Sequence, residues 1–189
     1  LSPQQPFTWA SGWKSPIYCD NRKTLSYPTV RTFIRQQFVH IVNSEFGRPD
    51  MIAGVATGGI AHGALVAHDI GLPFIYVRSG SKEHGLKNQV EGDITVGRNV
   101  VVVEDLVSTG GSSLNAVQAL RDAALELKGM VSIFTYGFDE ANKAFAAAKV
   151  KLHALTNYSV LIDQALRDEY ITEKDLAPLN EWRKDPANW

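Results

Sequence analysis

The sequence is poor in sulfur, with the single cysteine Cys19 and two methionines in 189 residues. One thiol can neither close an internal disulfide nor build a cysteine-based zinc cage, and this usage fits a reducing cytoplasm. No uninterrupted apolar run is long enough to span a bilayer, so a membrane partner is not expected. An excess of either charge is also missing. Nineteen Lys and Arg against twenty Asp and Glu leave a net charge of -1, which provides no global field for a nucleic-acid backbone. Several catalytic signatures are absent as well: the G-x-G-x-x-G dinucleotide fingerprint, the lysine that closes a nucleotide-triphosphate P-loop, and the H-E-x-x-H of a zinc hydrolase. His62 and His68 are six apart on a helix-patterned stretch, so they point in different directions and are expected to be core or surface residues.

What is present is alternation. Apolar, β-branched runs at 51–56, 73–78, 100–104, 130–136 and 151–156 are separated by stretches at 60–70, 112–127 and 140–148 with apolar residues three and four apart. That order predicts βαβ units, a mainly parallel sheet with helices on both faces, and a length of one domain. A further helix is expected over 28–46, entered at Pro28 and closed near Gly47 and Pro49. The first 27 residues mix Pro3, Pro6 and Pro16 with Trp9, Trp13 and Tyr18, a composition that suits an irregular cap or hood. The stretch from Ser79 to Gly97 is polar and long for a connection, as lids are.

The chemistry concentrates in VVVEDLVSTGGSS. An apolar strand runs into two adjacent carboxylates, Glu104 and Asp105. At the carboxyl end of a parallel strand such a pair can accept from neighbouring ribose hydroxyls, share a magnesium ion with them, or be no more than a solvated strand end or a helix-capping acid. The next residues, Ser108, Thr109, Gly110, Gly111 and Ser112, place hydroxyls and unobstructed amides at a helix start, a cradle for a phosphate monoester. A second small-residue turn, Ala56-Thr57-Gly58-Gly59, sits between a strand and a helix and directs more amides toward the same sheet edge, so two phosphate groups are expected. Arg78, Lys82 and His84 lie in the polar loop, where they could neutralise a leaving pyrophosphate, although a charged run of this kind is also an ordinary solvated loop.

With these parts assembled, the chain resembles the type I phosphoribosyltransferases, whose signature is an apolar strand, two acids and a Thr/Ser-Gly-rich turn. Within that family it resembles the orotate-using branch, through FTWASGWKSPIYCDNRKTLSYP at 7–28 and VRSGSKEHGLKNQVEG at 77–92. The resemblance implies an α/β fold with a small N-terminal hood over residues 1–27 and a flexible catalytic loop at 79–92. It implies transfer of the phosphoribosyl group of phosphoribosyl pyrophosphate (PRPP) to orotate, with pyrophosphate leaving, Mg2+ as cofactor and a homodimer whose active sites are shared. Glu104 and Asp105 would then hold the ribose hydroxyls, while Leu106, Val107 and the turn from Ser108 to Ser112 bind PRPP. Arg78, Lys82 and His84 would be the catalytic, pyrophosphate-facing residues, and Ser108 would also meet orotate. Lys14, Ser15, Ile17, Tyr18 and Arg22 would cover the base. The chain departs from better-known bacterial members at Ala10, Gly58, Ser79 and Tyr136, positions where those members carry cationic side chains. An enzyme for another base, or a non-catalytic PRPP sensor, would share the donor motif. The orotate-like hood and the retained loop favour the orotate enzyme.

Overall fold

In the computed structural model the described residues are all those of the chain except Pro3, Ala10, Ser11, 79–88 and Gly97, with Val96 described by its main chain alone. The chain divides into two compact units, Asn21–Leu155 and the paired segments Leu1–Asp20 and Thr156–Trp189.

The larger unit is built on a six-stranded sheet. Its strands are β3 (Met51–Val55), β4 (Phe74–Val77), β5 (Val90–Glu91), β6 (Asn99–Val107), β7 (Glu126–Thr135) and β8 (Leu152–Asn157), ordered β5-β4-β3-β6-β7-β8. The pairs β4/β3, β3/β6 and β6/β7 are parallel, and β5 is antiparallel to β4. Successive residues of a strand face opposite sides, and the central strands are apolar on both. Met51, Ala53, Val100, Val102 and Met130 pack with α3 (Gly111–Asp122) and α4 (Asp139–Ala147) through Val117, Leu120 and Phe145. Ile52, Val101, Val103 and Val131 pack on the other side with α1 (Pro28–Ile41) and α2 (Gly58–Ile70) through Ile34, Phe38, Val66 and Ala67. The continuous Val100–Val103 run is therefore the signature of a strand covered on both faces.

The expected alternation is present, with its boundaries moved. Strand β6 runs on to Val107, past the expected end at 104, because β7 continues to pair with it. Helix α3 stops at Asp122 rather than 127: Ala124 adopts φ 61° and the chain turns directly into β7. Helix α1 passes into a π-helical turn at Val42–Phe46, which ends at Gly47 with φ 65°. The segment expected as a long polar connection contains β5 and a 3-10 turn at Ile94–Val96.

The smaller unit carries a short antiparallel hairpin of β1 (Phe7–Thr8) and β2 (Lys14–Ser15), with α5 (Tyr158–Arg167) and α6 (Glu173–Lys184). Trp182, fully buried, is its centre. The indole Nε1 donates to the Lys14 carbonyl at 2.9 Å, and its ring meets Trp9 edge-on at 5.7 Å and Tyr158 at 5.4 Å. The aromatics that mark the N-terminal segment in the sequence thus build a core with the C-terminal helices. A capping box at Thr172 and Asp175 starts α6.

Candidate active site

Chain order reverses at β3, which has β4 on one side and β6 on the other. In open parallel sheets the crevice at the carboxyl ends of two such strands is where ligands enter. Here β3 leads into the Ala56–Gly59 turn, and β6 brings the two acids. The β3/β6 register ends with Gly54 opposite Val103, while β6 continues along β7 until Val107 faces Thr135. Glu104 and Asp105 therefore stand just past the last rung shared with β3.

Their surroundings differ. Glu104 is only 4 % exposed. Its Oε2 accepts from Ser113 Oγ at 2.9 Å and its Oε1 from the Asp105 backbone N–H at 2.9 Å. Burial, reinforced by the hydrogen bond and charge of Asp105, pushes its carboxyl up to about 8. Asp105 is half-buried, and its carboxylate lies against Gly58: a Cβ built at position 58 would overlap it. Among the described residues no cationic side chain pairs with either acid. This pair suits ribose hydroxyls, a divalent cation, or both.

The expected glycine turn leads into α3. Gly110 caps α3 with φ 88°, a conformation that favours glycine, and a Cβ there would come within 2.8 Å of Phe145. The helix begins at the exposed Gly111, so its first-turn amides have no carbonyl of their own helix to meet and face outward with the positive end of the dipole. Ser108 and Thr109 are half-buried and Ser112 is exposed. Leu106 and Val107, grouped with this turn in the sequence, lie within β6 instead. On the other side of the crevice α2 lies very close to the sheet, because Gly54, Gly59 and Gly63 remove the side chains that would separate them. A Cβ on Gly59 would overlap the Val103 carbonyl, and one on Gly63 would come within 2.8 Å of Phe74.

Arg78 follows β4 at the same edge of the sheet, where its guanidinium is 3.5 Å from the Glu91 carboxylate. Lys82, His84 and Ser79 lie outside the described residues, as does Ala10. Lys14, Ser15, Ile17 and Tyr18 belong to the smaller unit. There Lys14 Nζ donates to Thr8 Oγ1 at 2.8 Å, and the buried Ser15 hydroxyl is engaged with the main chain of Ile17. Tyr136 is buried, stacked on Phe138 at 5.4 Å and edge-on to Phe134 at 5.1 Å. Three residues around the acids had no assigned role in the sequence reading. Ser113 could have been found, since a helix starting at Gly111 turns its third residue inward. Asn21, whose Nδ2 donates to the Asp105 carbonyl at 2.7 Å, and His62, buried beside Thr24, meet partners dozens of positions away and carry no local signal.

A model of the phosphoribosyl transferase domain matches residues 30–153, the span that contains both turns and the acids. An orotate phosphoribosyltransferase of Bacteroides fragilis is 60% identical over 189 residues, covering 100% of this chain and 89% of that protein. This chain belongs to the orotate phosphoribosyltransferases. Solved structures agree in fold: the orotate phosphoribosyltransferase of Aeropyrum pernix matches with a TM-score of 0.76 at 28% identity, over 84% of this chain and 89% of the other. The UMP synthase of Leishmania donovani matches 98% of this chain with a TM-score of 0.78 at 26% identity, and this chain spans 39% of that longer one. An orotate phosphoribosyltransferase binds a donor and an acceptor.

Proposed function

We propose that this chain transfers the phosphoribosyl group from PRPP to orotate, giving orotidine 5'-monophosphate and pyrophosphate in the synthesis of UMP. The observation that carries this reading is the Glu104–Asp105 pair, standing beyond the end of β3 between two turns rich in small residues. Asp105 and Glu104 hold the ribose hydroxyls, and the α3 amides from Gly111 onward take the 5-phosphate. Mg2+ fits beside an acid pair with which no cationic side chain pairs among the described residues. When bound with the donor it would offset the charge of the pyrophosphate.

The reaction needs little covalent help from the protein. As the C1–O bond to pyrophosphate breaks, the ribose gains oxocarbenium character, and an orotate ring nitrogen forms the new bond from the opposite face. The chain's work is to fix the ribose, disperse charge on the departing oxygens and exclude water. Arg78, Lys82 and His84 are assigned to the pyrophosphate, with Lys82 the principal catalytic residue. Ser108 and the residues 1–27 are assigned to orotate and its cover. We further infer a cytoplasmic homodimer whose loops complete the partner's site. No described helix is long and apolar enough to cross a membrane, and the lone cysteine suits a reducing compartment.

The test is pyrophosphate release from PRPP and Mg2+ with a panel of free bases. Orotate alone among the bases should support turnover. Release with adenine or guanine but not orotate would reassign the acceptor, and donor binding without release under any base would make the chain a PRPP sensor.

A further inference from the structure

His62 has no part in the donor contacts described above, yet it is 1% exposed and lies in α2 one turn beyond Gly58, on the same face of the helix. Its Nε2 is 3.3 Å from Thr24 Oγ1. Thr24 has one hydroxyl proton, and that proton is directed to the Asn21 carbonyl at 2.6 Å. Toward His62 the hydroxyl can therefore only accept, which makes Nε2 the protonated nitrogen of the ring and leaves Nδ1 as a bare acceptor. Nδ1 is buried without a hydrogen-bond partner among the described residues. Burial also lowers the imidazole's proton affinity, against the opposing pull of Asp105. With burial favouring the neutral ring, the hydrogen bonds place its proton on Nε2.

The chain of donors has a direction. His62 donates to Thr24, Thr24 to the main chain of Asn21, and the Asn21 amide to the carbonyl of Asp105 at 2.7 Å. That carbonyl lies beyond the last β3 rung, where the strand needs another restraint on this side. We propose that His62 is a positioning residue for donor binding: acting through Thr24 and Asn21, it holds the main chain at Asp105 so that the carboxylate meets the ribose. The inference rests on the assignment of Asp105 to the ribose, and it extends that assignment to three residues outside the crevice.

The experiment compares PRPP binding, measured by calorimetry with Mg2+ and no base, with steady-state kinetics for His62→Leu, His62→Gln and Thr24→Val. Leucine removes the donor and keeps bulk, while the glutamine amide can place an N–H near the position of Nε2. The expected result is a loss of about tenfold in donor affinity for His62→Leu and Thr24→Val, with kcat within about twofold of the parent and affinity restored by His62→Gln. The double variant His62→Leu/Thr24→Val should be no worse than either single one. Because Thr24 is not a core residue, Thr24→Val tests the link even if His62→Leu fails to fold. Parental donor affinity in Thr24→Val overturns the proposal, as does a ring protonated at Nδ1 in the 15N spectrum of His62 at pH 7. Both readouts are independent of the acceptor. A parent protein that binds PRPP but ignores orotate would overturn the proposed function and leave the positioning role standing; one that does not bind PRPP would overturn both.

Discussion

The Asp105 carboxylate occupies the space in which a side chain on Gly58 would stand. A residue on β6 and the first residue of α2 thus share one volume, and a side chain at position 58 would displace the acid opposite. Alanine at Gly58 should leave stability within about 1 kcal/mol, because the atoms it meets are the end of a short side chain that can rotate away. Donor affinity should fall about tenfold as Asp105 leaves its position. Alanine at Gly59 meets the Val103 carbonyl instead, which cannot turn aside, and should cost about 3 kcal/mol of stability. Urea denaturation and PRPP titration of the two variants separate the effects; equal outcomes would remove the proposed difference.

The buried Glu104 makes stability depend on pH. Its carboxyl is raised from an ordinary 4.5 to about 8 by burial and by Asp105. Between those two values the folded protein keeps a proton that the unfolded chain has lost, so raising the pH through this window favours unfolding. The contribution is at its full value below the window and is lost toward pH 8. Glu104→Gln, which resembles the protonated acid, should show a shallower decline of Tm between pH 5 and pH 8. A parental slope in the variant would place the titration elsewhere.

Loop and crevice should separate in kinetics. Lys82→Ala is expected to lower kcat at least about 100-fold with the PRPP KM within about threefold, since charge builds on the departing pyrophosphate as the C1–O bond breaks. Asp105→Asn is expected to raise the PRPP KM first. An unchanged kcat in the lysine variant removes Lys82 from the mechanism.

The smaller unit depends on one indole. Trp182→Phe should cost about 1 to 2 kcal/mol, because the Lys14 carbonyl loses its donor, while Trp182→Ala should cost about 3 to 5 kcal/mol through the cavity it opens. Chemical denaturation would check both, and parental midpoints would refute the assignment of Trp182 as the centre of this core.

The sequence made the strands legible where residues are apolar on both faces, as at Val100–Val103, and the helices where apolar residues recur on one side, as in α4. It was weaker where tertiary contact overrides local pattern. Residues 123–127 continue a helical spacing, yet Ala124 turns left-handed and the chain enters β7. The segments 158–167 and 173–184 form helices over aromatics from the N-terminal stretch, a pairing across more than 150 positions in sequence that no local window contains.

The same division holds at the site. Sequence alone marked the candidate donor-binding parts, because two adjacent acids after a buried strand and a glycine turn before a helix are local patterns with a local chemical meaning. Only the tertiary structure decided how those parts differ from each other. Burial raises the Glu104 carboxyl, a side chain at Gly58 would meet Asp105, and His62 faces Thr24 because α2 lies against the Asn21–Ser26 turn. Burial and hydrogen-bond partners are properties of neighbours in space, and those neighbours are supplied by segments far apart in the chain.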